Sequence, residues 1–266
     1  MQLLALQRIP VQTGANCGLF AILAAVRQLG CDEKNEATII EELDRLEKAD
    51  PRTFIGEVLS VDLLLDLIRG ISANNTPLFT ASTIAFSTPP ELLTIIQDGF
   101  QNGGALIVPF ARPESYDIYY RLLGAQDKGE ATAEEVAAAR QSKEDERTFR
   151  PADAHWALVN RLDEPSGTVV LADSFEDVWD RGHGYEAEFP VERLAQANLA
   201  LDGCFDWGTF LDGQGRAWGI HDIQGRAYTP SALRHKNPAR LDEILANRGQ
   251  EALDLAGRLV RMEIKR

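Results

Sequence analysis

The chain has 266 residues, is 44% hydrophobic and 26% charged, and carries a formal net charge of −14. That length buries enough surface to fold without disulfide or metal staples. The acidity excludes a general binder of nucleic acid or of an anionic membrane surface, since either needs a positive face to neutralise phosphate. Three scattered cysteines, Cys17, Cys31 and Cys204, form neither a disulfide framework nor a CxxC zinc pair. No metal or cofactor is therefore expected. The expected setting is reducing and cytoplasmic, or export as an effector without a Sec signal: the first charge falls at Arg8, before any apolar stretch long enough for a signal core. The longest uncharged apolar run, Cys17–Val26, is too short to cross a bilayer.

Four helices are predicted first. Cys17–Leu29 is apolar almost all round and ends at Gly30, the pattern of a fully buried helix. Ala37–Ala49 is amphipathic through Ile39, Ile40, Leu43 and Leu46. Ser60–Ile71 follows a serine cap, and Pro89–Gln101 runs from a proline pair to Gly103-Gly104. The period then changes. Ala105–Phe110 reads as a buried strand, and His155–Arg161 with Thr168–Ala172 reads as a hairpin across the turn at Asp163–Gly167. Further on, Val191–Leu199 and Pro238–Asn247 are helical in pattern, while Ala217–Ile223 and Leu259–Lys265 are strand-like. Helices first and hairpin-paired strands after indicate an α+β fold in a single domain spanning residues 1–266. Residues 127–153 stand out as a charged helical insertion, with a capping box at Thr132–Glu135, that is solvated or acts as a mobile lid or docking arm beside His155. Trp156 and Trp207 read as packing residues.

Chemistry concentrates at Gln12-Thr-Gly-Ala-Asn-Cys17-Gly18. A cysteine in the first turn of a buried helix meets unpaired amides and the positive end of the dipole, which stabilise a thiolate and raise its nucleophilicity. Gly18 is expected to keep one side of the sulfur open. Gln12 is a candidate oxyanion donor beside the Cys17 amide. A nucleophilic cysteine needs a base, and the candidates are His155, His183, His221 and His235. His155 opens an apolar strand. A hairpin would return Asp173, at the end of the next strand, to its side, where a carboxylate orients the ring. Asp177, Asp180 and Asn160 are lesser alternatives to Asp173.

These residues resemble a known family. Gln12, the run Asn16-Cys17-Gly18-Leu19, Ala21, His155-Trp-Ala-Leu-Val and Asp173 together look like papain-like cysteine peptidases. The glutamine before Asn-Cys-Gly is similar to that of bacteriocin leader peptidases, and the CGL and HWALV segments to actin-maturation proteases. Phytochelatin synthases share the Cys-His-Asp order more distantly. The resemblance implies a buried helix carrying the nucleophile on a mainly antiparallel sheet. It makes Cys17 the nucleophile, His155 the base, Asp173 the orienting residue and Gln12 the oxyanion donor. The implied activity is hydrolysis of an amide bond in a protein or peptide through a thioester. The alternatives are a glutamine deamidase or transglutaminase-type effector on the same scaffold, and a non-catalytic papain-like binding module.

Overall fold

The computed structural model describes residues 6, 8–13, 15–31, 33–74, 79–176, 184–209, 221–226 and 236–265. Helix α1 (Cys17–Gln28) is buried along its length except at Cys17 and Arg27, as a helix without a polar face must be. Helix α2 (Glu33–Ala49) starts four residues earlier than its apolar face suggested. Helix α3 (Val61–Asn74) begins where the Leu63 amide donates to Ser60 Oγ at 3.2 Å. Strand β1 (Phe79–Ala85) and helix α4 (Pro89–Asn102) follow. Thr88 caps α4, and Gly103 ends it in the left-handed conformation at φ 73°.

Strand β2 (Ala105–Ala111) leads to helices α5 (Glu114–Asp127) and α6 (Ala133–Asp145). Strands β3 (Ala154–Asp163), β4 (Thr168–Glu176) and β5 (Gly184–Pro190) come next, then helix α7 (Val191–Leu199). The chain closes with β6 (Cys204–Asp206), α8 (Pro238–Ala246), β7 (Gln250–Ala252) and β8 (Arg258–Ile264). The main sheet runs β1-β8-β2-β3-β4-β5 with every neighbouring pair antiparallel. The α+β class and the predicted hairpin are both present.

One face of this sheet meets α1 and α3, with α2 packed outside them, and the other meets α4 and α7. Strand β2 is buried on both faces. Ala105 and Ile107 point into the α1 layer, and Leu106, Val108 and Phe110 into the opposite one. That double burial is why its sequence reads as an unbroken apolar run. Pro109 is tolerated in this central strand because the pairing with β8 ends at Ile107. Past that point the Asn198 side chain bridges the gap, donating to the carbonyls of Pro109 and Arg258 at 2.8 and 3.0 Å.

A third apolar cluster joins the C-terminal part to the loop before α3, through Phe54, Ile55, Leu59, Phe205, Trp207, Leu241 and Ile244. Trp207 is a packing residue, as expected. Of the strand expected at Ala217–Ile223, residues 217–220 lie outside the described residues, and Ile223 sits in a turn closed by Asp222 and Arg226.

The charged insertion is docked. Helix α6 buries only Val136 and Ala139, but its lysine reaches across to α5. The Lys143 ammonium lies 5.2, 4.4 and 5.3 Å from the ring centroids of Tyr116, Tyr119 and Tyr120, a cation–π contact with three faces. Arg193 of α7 donates to the Lys143 carbonyl at 2.5 Å and to that of Glu146 at 2.8 Å, holding the helix C-terminal end. Among the described residues no helix is long and apolar enough to cross a membrane.

Candidate active site

The segment before α1 is fastened to the strands that carry the acid. The Gln12 amide donates to the Ser174 carbonyl at 2.7 Å, and the Gly184 amide donates to the Ile9 carbonyl at 2.9 Å. Asn16 stands at the N-cap, where its carbonyl accepts from Leu19 and Phe20 at 3.0 and 3.2 Å. Its fully buried side chain does not cap the helix. Instead Nδ2 donates to Thr13 Oγ1 at 3.0 Å and to the His221 carbonyl at 3.4 Å. Helix geometry leaves the amides of Cys17 and Gly18 without intrahelical partners, so the positive end of α1 is at the sulfur.

Gly18 lets α1 approach the loop before α3. A Cβ there would lie 2.7 Å from Val58 Cγ2 and 3.3 Å from Trp156 Cδ1. Trp156 locks the same loop by donating from Nε1 to the Val58 carbonyl at 2.7 Å. Gly56, at φ +87°, has the reciprocal constraint, since a Cβ there would sit 2.8 Å from Asn16 Cβ. Glu57 holds the loop from within, accepting from the amides of Phe54 and Ile55 at 2.8 Å, and is paired with Arg240 at 3.1 Å.

Strand register places the base. Leu158 pairs with Ala172, so Asp173 falls one step on, opposite Ala157 and on the face that carries His155. His155 Nε2 lies 2.9 Å from Asp173 Oδ1, both residues are buried, and the Phe110 ring packs edge-on against the imidazole at 5.5 Å. The Cys17 side chain lies close enough to the same ring to act on its charge. With Nε2 committed to Asp173, Nδ1 is the nitrogen left for the sulfur.

Burial alone would lower the proton affinity of this imidazole. The Asp173 carboxylate and the Cys17 sulfur outweigh it and raise the pKa from 6.5 to about 9. The NMR signals of His155 are accordingly expected to titrate near pH 9. Titration near the ordinary histidine value would mean that the charged pair does not form.

Gln12 is also held in a definite sense. Ser174 Oγ donates to Gln12 Oε1 at 2.8 Å, which fixes the oxygen end of the amide and makes the Nε2 end the donor. The structure thus brings Cys17, His155 and Asp173 together and ties Gln12 to the residue after Asp173. Of the other candidates, Asn160 lies at the β3 bulge and bonds to the Leu6 amide and Glu186, so it takes no part. His221 contributes a carbonyl to Asn16. His183, His235, Asp177 and Asp180 lie outside the described residues.

Arg112 is the site residue that sequence reasoning missed. It follows β2, is buried, and donates from Nε to Asp173 Oδ2 at 3.0 Å while Nη2 donates to the Tyr185 hydroxyl. The two Asp173 oxygens are thus divided between a histidine and an arginine. An arginine directly after an apolar strand was the only signal available. All three cysteines are thiols, and no cluster of three or more metal-ligating side chains occurs among the described residues. In sequence comparison, no family model and no curated protein matches the chain.

Proposed function

We propose that this protein is a papain-like cysteine hydrolase that cleaves an amide bond in a protein or peptide. The observation that carries the reading is the buried His155, held by Asp173 on one nitrogen and facing the Cys17 thiol, at the N-terminal end of a rigid helix. In this reading the Cys17 proton passes to His155 Nδ1, and the thiolate attacks the substrate carbonyl. The oxyanion takes hydrogen bonds from the Cys17 amide and from Gln12 Nε2. Collapse of the tetrahedral adduct breaks the C–N bond, and the amine leaves with the His155 proton. Water then attacks the thioester and gives its proton back to His155. The carboxylic acid departs, and the thiol is restored.

The test is to incubate the protein with a peptide library and follow new termini by mass spectrometry and ammonia release in parallel, with Cys17→Ala as control. New termini that depend on Cys17 support hydrolysis of the main chain. Ammonia without new termini replaces it with deamidation, and full biological function in Cys17→Ala removes the enzyme reading altogether. Gln12→Ala is expected to lower kcat by about 10²–10³-fold, as loss of one oxyanion donor does, with KM little changed.

A further inference from the structure

We propose that Arg112 is a positioning residue for Asp173, and that α5 supports it through the Tyr120–Tyr185 contact. The assignment rests on the Cys17–His155–Asp173 reading above and names how that site is held. In the charged state the buried groups form a chain: thiolate, imidazolium, carboxylate, guanidinium. Its net charge is zero, which a dry site favours strongly over any unbalanced set. Asp173 cannot rotate away from His155 without breaking the Arg112 bond on its other oxygen.

Arg112 is itself built in. Its backbone amide donates to the Asp153 carbonyl at 2.9 Å, and its guanidinium lies 5.4 Å from the centroid of the Tyr185 ring while bonding to the hydroxyl of that residue. Tyr120 of α5 packs on Tyr185 at 4.7 Å, and its own hydroxyl accepts from the Glu188 amide at 3.4 Å. A parallel aromatic path supports the base. Tyr116, one turn earlier on α5, stacks on Phe189 at 4.3 Å; Phe189 meets Phe110 at 5.3 Å, and Phe110 meets His155. One helix therefore backs both His155 and Asp173, and α6 pins that helix through Lys143. The insertion is a buttress of the site rather than a lid over it.

Among the described residues, charged and titratable groups that face Asp173 include His155 from β3, Arg112 after β2, Tyr185 from β5 and Tyr120 from α5, with Cys17 beyond the imidazole. Removing the Arg112 cation leaves the set one negative charge in excess, so His155 holds its proton more tightly. Arg112→Met is expected to move the NMR titration of His155 to higher pH. It is also expected to lower kcat by up to about 10²-fold at unchanged KM, the scale of a misplaced catalytic group. Arg112→Lys keeps the charge and should restore the titration while recovering only part of kcat, because an ammonium lacks the fork that spans Asp173 and Tyr185.

A folded Arg112→Met protein whose His155 titrates as in wild type overturns the proposal, whatever its melting temperature. Should that variant fail to fold, Tyr185→Phe removes a single hydroxyl and is expected to shift the titration in the same direction by less; an unmoved titration there overturns it equally. The NMR measurement needs no substrate. Failure of the amide-hydrolase reading would therefore leave it interpretable, and wild-type hydrolysis with an unmoved titration would reject the positioning role alone.

Discussion

Replacing His155 with alanine is expected to slow alkylation of Cys17 by iodoacetamide at pH 7, since the variant lacks the imidazole that takes up the thiol proton. Amide turnover should fall further, by about 10²–10⁴-fold or more, because the variant also lacks the proton donor for the leaving amine. The two losses separate the roles of one side chain: the first reports ion pairing in the resting protein and the second reports acid catalysis. Site-resolved mass spectrometry across pH measures the first, with Cys31 and Cys204 as internal controls. Equal labelling of Cys17 in wild type and variant would leave Cys17 as a packing residue and reject the coupled pair. The fold itself should survive, since His155 lies at the mouth of β3 and not in the middle of the sheet.

The second large effect is expected at Asp173. Asp173→Asn keeps the shape but leaves Arg112 as a buried cation without its carboxylate, and breaking a buried pair from one side costs about 3–5 kcal/mol. It also removes the acceptor that fixes the histidine tautomer, a change that lowers kcat by about 10⁴-fold where a carboxylate serves this role. The titration of His155 should move to lower pH, opposite to the Arg112→Met shift, because the raising charge is gone. The linkage has a definite sign. A histidine whose pKa is raised by folding stabilises the native state fully below its unfolded value, about 6.5, and that contribution is lost as pH rises through about 9. Denaturant melts between pH 6 and 10 should show this loss in wild type and not in Asp173→Asn. A parallel pH dependence in both proteins would rule out Asp173 as its source.

Much of the architecture was legible because periodicity and punctuation agree over long segments. Helix α1 could be seen from its uninterrupted apolar residues, and α4 from the proline pair and Gly103-Gly104. The β3–β4 hairpin was clear from two apolar runs around a turn. Five elements were not predicted, the short strands β6 and β7 and three longer ones, β1, α5 and β5. Strand β1 carries threonines and a serine on an exposed edge and buries little beyond Phe79. Helix α5 owes its place to tyrosines that pack on residues far along the chain. Strand β5 did carry a signal, the strict alternation of Tyr185, Ala187 and Phe189 with Glu186 and Glu188, but so short a run between polar segments invites a loop reading.

The sequence by itself determined the chemical inventory: a cysteine opening a buried helix, a histidine opening a strand, and an aspartate one hairpin away. Short-range physics suffices for these, since helix ends, strand starts and hairpin returns follow from local pattern. Only the tertiary structure decided what holds them. Arg112 reaches Asp173 across 61 positions of chain, Ser174 reaches Gln12 across 162, and Gly18 is needed because Val58 and Trp156 close on it. Such contacts depend on strand order and register, set by the summed burial of the whole core, and no local window of residues contains them.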